Sequence, residues 1–263
     1  MTHCLDRCIF AVVLVLFAGP AAADLSGTIK RVKPAIAIVG TYKATSSPRF
    51  SLRGTGFVAT SGDQGKSNLV VTNAHVLQQP ADADPEAGLI IQLRVGKDQF
   101  QVRQVTVLDV DAEHDLALLR FDGPAATAFK VRDSDGVQEG QDLAFMGFPI
   151  GGALGFSPVT HRATVSSITA AALPTPTARQ LNEKTIRSLR SGGNFDIFQL
   201  DGTAYPGNSG GPLFDPETGD VLGVVNMVFV KGTRESALTH PSGISYAIPS
   251  KFVLELLQRH KDK

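Results

Sequence analysis

Along most of this chain apolar positions alternate with polar ones or gather into short runs, and clusters of Gly, Pro, Asp and Ser interrupt them at short intervals, a pattern that predicts an all-β protein. A different period comes first: Leu25, Ile29 and Val32 fall at helical spacing within Asp24 to Val32, and Pro34 ends that helix. Six strands are expected at about Ala35–Tyr42, Gly54–Ala59, Asn68–Thr72, Leu89–Val95, Phe100–Leu108 and Leu116–Phe121, enough for one barrel. A connection at about 122–140, rich in Gly, Pro, Asp and Ala, leads to a second set at about Asp142–Gly147, His161–Ile168, Phe195–Leu200, Pro212–Asp215, Val221–Val230 and Gly243–Ile248. Ser250, a good N-cap, opens a final helix over 250–261 with Phe252, Val253, Leu256 and Leu257 on its apolar face. The polar stretch Leu173–Asn194 between two strands of the second set is a loop of a length that marks function or disorder. No internal repeat is visible.

The first 23 residues stand apart from this pattern. Arg7 precedes the apolar run Ile9 to Ala18, and Ala21-Ala22-Ala23 supplies the small residues at which a signal peptidase cuts, so residues 1–23 read as a secretory signal. The apolar run is too short to span a bilayer, which needs about 20 residues, and no integral span is expected after cleavage. Both cysteines, Cys4 and Cys8, lie inside this segment. A mature chain over 24–263 without cysteine depends on its core rather than on disulfides, which fits a bacterial periplasmic or secreted protein. With 25 basic and 25 acidic residues the charge is balanced, and neither nucleic acid nor an anionic membrane is indicated as a partner.

Candidate chemistry centres on Gly207-Asn208-Ser209-Gly210-Gly211-Pro212. One serine among three glycines suits a nucleophile, because glycine permits the sharp backbone that turns the Gly207 and Ser209 N–H groups, joined by Asn208, toward a developing oxyanion. The alternative is a Gly-rich hairpin with an incidental serine. Two other segments bear on the choice. Val70-Val71-Thr72-Asn73 is a β-branched run that leads into His75, and Asp115 opens the apolar strand Leu116–Phe121. An imidazole to take the serine proton and a carboxylate to hold its tautomer are what such a nucleophile needs. His114 neighbours Asp115, but alternation along a strand sends adjacent side chains to opposite faces. His161, His240 and His260 lack a partnered motif and read as surface or packing residues, Asp109 and Asp111 as turn or cap residues, and Asp201 as a support for the serine loop or a turn cap. Gly54-x-Gly56-x-x-Ala59 lacks the helix of a dinucleotide site, and Gly65-Lys66-Ser67 lacks the first glycine of a phosphate loop. No paired Cys/His spacing marks a metal site, and no cofactor is expected.

Six blocks in order, Gly54-Thr55-Gly56-Phe57-Val58, Thr72-Asn73-Ala74-His75-Val76, Asp115-Leu116-Ala117-Leu118-Leu119, Gly147-Phe148-Pro149-Ile150-Gly151, Gly207 to Pro212 and Ile244-Ser245-Tyr246-Ala247-Ile248-Pro249, resemble the landmarks of the HtrA (DegP-type) trypsin-like serine proteases. The resemblance implies two six-stranded antiparallel β-barrels, here about 35–121 and 141–249, with the active site between them. It implies a serine endopeptidase in which His75, Asp115 and Ser209 are catalytic and unfolded or misfolded proteins and peptides are substrates. A trimer is a further implication. By the same resemblance the substrate pocket is expected among Thr203, Ala204, Val225, Asn226, Met227 and Ile244, mostly apolar and without the acidic residue of a basic-specific pocket. The matching loops, Gly202–Asn208, Leu173–Asn194 and Lys231–Ser242, are expected to gate the site. The sequence ends about one helix after Ala247-Ile248-Pro249, so the PDZ domains of many members are not expected. A catalytically weak peptide-binding or chaperone-like relative, and an esterase using the same triad, are the alternatives.

Overall fold

The computed structural model describes residues 24–63, 65–78, 86–96, 99–149, 156–170, 195–226 and 243–260. Helix α1 spans Leu25–Val32, and the side chain of Asp24 caps it by accepting the Ser26 N–H at 3.0 Å. A 3-10 turn at Lys33–Ala35, with Pro34 at its start, leads into the first barrel.

That barrel comprises β1 (Ile36–Tyr42), β2 (Phe50–Thr60), β4 (Leu69–Asn73), β5 (Gly88–Gly96), β6 (Gln99–Asp111) and β7 (Leu116–Phe121), with β3 (Lys66–Ser67) as a short flanking piece. Antiparallel pairing runs β1-β5-β6-β7-β4-β2 and closes through β1 with β2. The second barrel, β10 (Asp142–Gly147), β11 (Val159–Ala170), β12 (Asp196–Asp201), β15 (Ile244–Pro249), β14 (Val221–Asn226) and β13 (Pro212–Phe214), closes in that order. The all-β expectation of two six-stranded barrels is borne out. Closure leaves neither sheet an open edge to aggregate.

The connection adds two strands that the sequence pattern did not mark. β8 (Ala126–Thr127) pairs with β3, and β9 (Phe129–Lys130) runs parallel to β2. Phe129 packs between Phe57 of the first barrel and Phe214 of the second, with ring centroids 5.8 Å apart in each pair. One apolar cluster therefore runs through both barrels and into the last helix, α3 (Ser250–Gln258), by way of Phe252, Val253, Leu256 and Leu257. Ser250 is a correction: Pro249 holds the N-cap position, while buried Ser250 is the first helical residue and donates its hydroxyl to the Arg132 carbonyl of the connection. Helix α1 also reaches across, since Thr28 Oγ1 and Arg31 Nη2 donate to the Glu217 and Thr218 carbonyls in the β13–β14 turn.

Candidate active site

Strand β4 delivers its last residue, Asn73, to a single helical turn, α2 (Ala74–Leu77), which carries His75. From the other side the β6–β7 turn ends in Asp115 at φ +51. The two are joined closely. His75 Nδ1 lies 2.6 Å from Asp115 Oδ2, and the His75 main-chain N–H donates to Asp115 Oδ1 at 2.8 Å. The Asp115 carbonyl accepts from Asn73 Nδ2 and from the Ala74 N–H, each at 3.0 Å. An ionised carboxylate only accepts, so this geometry places the imidazole proton on Nδ1 and leaves Nε2 with its lone pair, the tautomer a general base needs.

Ser209 sits on the loop before β13 and is buried to 6 % exposure. Gly54 of β2 lies between this loop and the His75 turn: a Cβ there would come within 2.7 Å of Val76 Cγ2 and 3.0 Å of the Ser209 carbonyl oxygen. Its neighbour Thr55, fully buried, brackets the loop. Thr55 Oγ1 donates to the Gly207 carbonyl at 2.6 Å and accepts the Phe148 N–H at 3.0 Å, while the Thr55 N–H donates to the Ser209 carbonyl at 2.9 Å. Sequence reasoning took Thr55 only as part of a recognisable block; a threonine between two glycines in a strand, where another backbone approaches closely, was the available signal.

The loop itself is a turn from Tyr205 to Asn208, closed by the Asn208 N–H on the Tyr205 carbonyl at 2.9 Å. Pro206 occupies its second position and Gly207, at φ +104, its third, which makes it type II. Relative to type I, that choice turns over the Pro206–Gly207 peptide and hence the direction of the Gly207 N–H. The N–H groups of Asn208, Gly210 and Gly211 are engaged with the Tyr205, Val225 and Asn208 carbonyls. Those of Gly207 and Ser209 have no acceptor among the described residues. Asn208 is thus a correction to the expected oxyanion set: its N–H closes the turn, and its fully buried amide faces Gly147, where an added Cβ would lie 2.7 Å from Oδ1.

Asn226 is a second correction. Expected as a pocket wall, it is fully buried and its Nδ2 donates to Asp115 Oδ2 at 2.7 Å. Val225 and Ala204 belong to the core of the second barrel, with Phe145, Leu213 and Ala247, rather than to a pocket surface. Of the remaining expected pocket residues, Thr203 is half-buried and Ile244 is 40 % exposed. Ser245 ties that segment to β15 by accepting the Ala204 N–H at 2.7 Å and donating to the Gly202 carbonyl at 2.6 Å. Met227, His240, the 173–194 stretch and the 231–242 loop lie outside the described residues.

The other histidines have their own partners. His114 bonds Asp111, in keeping with the turn role expected for Asp111; strand alternation does not decide its direction, because His114 and Asp115 both lie in the β6–β7 turn. His260 is not a surface residue: it is 12 % exposed and its Nε2 lies 3.0 Å from Asp109. His161 stacks on Phe145 at 4.6 Å, and burial lowers its pKa from the ordinary imidazole value. Asp201 is exposed at the rim of a shallow cleft with Asp142, Arg162 and Pro216.

A closed pair of six-stranded barrels with His, Asp and Ser on loops of both defines the trypsin-like class, and residues 54–224 match the family model described as a trypsin-like peptidase domain. The chain belongs to that family. The HtrA resemblance is also borne out by its relatives. A probable periplasmic serine endoprotease DegP-like from Marinomonas sp. (strain MWYL1) is 28 % identical over 208 residues, 79 % of this chain and 35 % of that protein. One of the same description from Ectopseudomonas mendocina (strain ymp) is 27 % identical with the same coverage. The chain thus spans about a third of the length of the curated relatives it matches. Among solved structures, the HtrA-type protease AlgW with decapeptide shares the fold at TM-score 0.62 and 24 % identity, covering 89 % of this chain and 66 % of that one.

Proposed function

We propose that this protein is an exported serine endopeptidase that hydrolyses peptide bonds through an acyl-enzyme, with His75, Asp115 and Ser209 as its triad. The observation that carries the reading is the pairing of one carboxylate with both the ring and the main chain of His75, next to a serine loop in which the Gly207 and Ser209 N–H groups lack an acceptor among the described residues. In this mechanism Ser209 Oγ attacks the substrate carbonyl while His75 Nε2 takes its proton. Asp115 keeps the imidazole in that tautomer and stabilises the imidazolium that forms. The Gly207 and Ser209 N–H groups bind the oxyanion, and His75 returns its proton to the departing amine. Water, activated by the same imidazole, then releases the acyl group.

Unfolded or misfolded proteins and peptides are the substrate class that the HtrA resemblance implies, and the relatives the chain matches are described as serine endoproteases. Those relatives are described as periplasmic, and residues 1–23 supply the export signal that such a location requires. No helix among the described residues is long and apolar enough to cross a membrane. The test is degradation of unfolded casein by the purified chain. Loss of casein cleavage in Ser209→Ala with an unchanged circular dichroism spectrum is expected; a variant that still digests casein at the wild-type rate contradicts the reading.

A further inference from the structure

Asp115 holds φ +51, a left-handed geometry that a residue with a Cβ keeps only where its surroundings enforce it. At the start of the same turn stands Asp111, the last residue of β6, whose carboxylate takes two bonds from the residue just before Asp115. Its Oδ1 accepts the His114 main-chain N–H at 3.1 Å, and its Oδ2 lies 2.9 Å from His114 Nδ1. The His114 ring lies flat on Phe252 of α3, with centroids 3.8 Å apart and planes 18° from parallel, and Phe195 meets it edge-on at 4.7 Å. Beyond the helix, Arg259 approaches Asp111 at 3.7 Å and Asp109 at 3.3 Å, and His260 bonds Asp109 at 3.0 Å. Burial alone would raise the Asp111 carboxyl, but the bonds and charge of His114 and the charge of Arg259 outweigh it and hold the carboxyl below its ordinary value. The charged form is therefore the one this turn is built around.

We propose that Asp111 and His114 are positioning residues for the triad: Asp111 grips both the main chain and the ring of His114, Phe252 fixes that ring from the last helix, and together they hold Asp115 in its left-handed turn. The proposal rests on the triad reading above. It makes α3, which packs on the second barrel, part of the support for a carboxylate carried by the first.

Two substitutions separate the two grips. His114→Phe keeps a flat ring on Phe252 but loses the donor to Asp111. His114→Asn keeps a donor near the Nδ1 position but loses the ring. Each is compared with the wild-type chain by steady-state cleavage of a peptide and by the low-field proton resonance of the His75 Nδ1–H, which reports the bond to Asp115 without turnover. For His114→Phe and for Asp111→Ala, kcat is expected to fall about 10- to 100-fold with KM within about twofold, the scale of a displacement near 1 Å in a catalytic group, and the resonance to shift or broaden. His114→Asn, which keeps a donor to Asp111 but loses the stack on Phe252, is expected to have a kcat between those of His114→Phe and the wild-type chain. Asp111→Asn, which keeps an acceptor for the His114 N–H, serves if Asp111→Ala folds poorly, with a smaller loss in the same direction. A folded His114→Phe chain with wild-type kcat and an unshifted resonance overturns the proposal. A wild-type chain in which a fluorophosphonate fails to label Ser209 overturns the triad reading instead, and that result is read before any variant is compared.

Discussion

The two halves of the site are built on opposite principles. On the first barrel, Asp115 is held by redundancy: its carboxylate accepts from the His75 N–H, His75 Nδ1 and Asn226 Nδ2, and its carbonyl accepts from Asn73 and Ala74. On the second barrel, the turn ahead of Ser209 is closed by an Asn208–Tyr205 bond and bracketed from outside by Thr55, and the Gly207 and Ser209 N–H groups find no acceptor among the described residues. A base must be kept in one tautomer and one orientation, which many bonds secure. An oxyanion site must present donors with nothing bound, which requires backbone shape in place of bonds. In one half the bonds converge on the carboxylate itself; in the other they hold the loop's carbonyls and flanking N–H groups, and the φ of Gly207 sets the direction of the donors left open.

If that contrast is right, substitutions in the two halves should fail differently. The largest effect is expected from Asp115→Asn, about 10⁴-fold in kcat on the precedent of the same change in other triads, because the amide favours the wrong tautomer; measured against casein, a loss of less than tenfold would remove Asp115 from the triad. Next comes Gly207→Ala. At φ +104 a Cβ is strained, and a turn that relaxes to type I loses one oxyanion donor, about 10²–10³-fold in kcat; the fluorophosphonate labelling rate should fall with it. Asn226→Ala removes one of several donors to the carboxylate, so redundancy predicts a milder loss of about tenfold, equal to ~1.4 kcal/mol of barrel-to-barrel support for the transition state. An Asn226→Ala effect as large as that of Asp115→Asn would show that the redundancy is only apparent.

The smallest effect lies outside both halves and provides a baseline for pH work. Burial depresses the His161 pKa below the ordinary imidazole value of 6.5. The unfolded chain then binds a proton that the folded chain refuses. Stability from this residue is fully present above the unfolded pKa and is lost as the pH falls through about 6.5 toward the folded pKa. His161→Phe, which keeps the stack on Phe145, should flatten the decline of the melting temperature between about pH 7 and pH 5. An unaltered decline would mean that another group titrates there.

Much of the fold was legible because short apolar runs are bounded by turn residues, and β7 and β10, buried along almost their whole length, fall at their expected residues. Strands β8 and β9 were not, since two residues are too short to show a period. The proposed triad residues stood out because each lies beside a strand end in a distinctive local context. Their supports did not. Asn226 meets Asp115 across 111 residues and Thr55 meets Gly207 across 152, and a hydrogen bond over such a separation leaves no trace in local pattern. Asn226 is expected as a pocket wall only by the resemblance; its place inside an expected strand at 221–230 does not say which way its amide points. The Asp111–His114 pair is local, but two polar residues three apart in a turn look the same whether they steady a neighbour or merely close the hairpin.

The most direct test of the account is reaction of the purified chain with a fluorophosphonate, followed by mass mapping of the adduct, in wild type and in His75→Ala. The account predicts a single adduct on Ser209 in the wild-type chain and near-complete loss of labelling in His75→Ala. Labelling of a different residue, or of Ser209 at the same rate without His75, would contradict it.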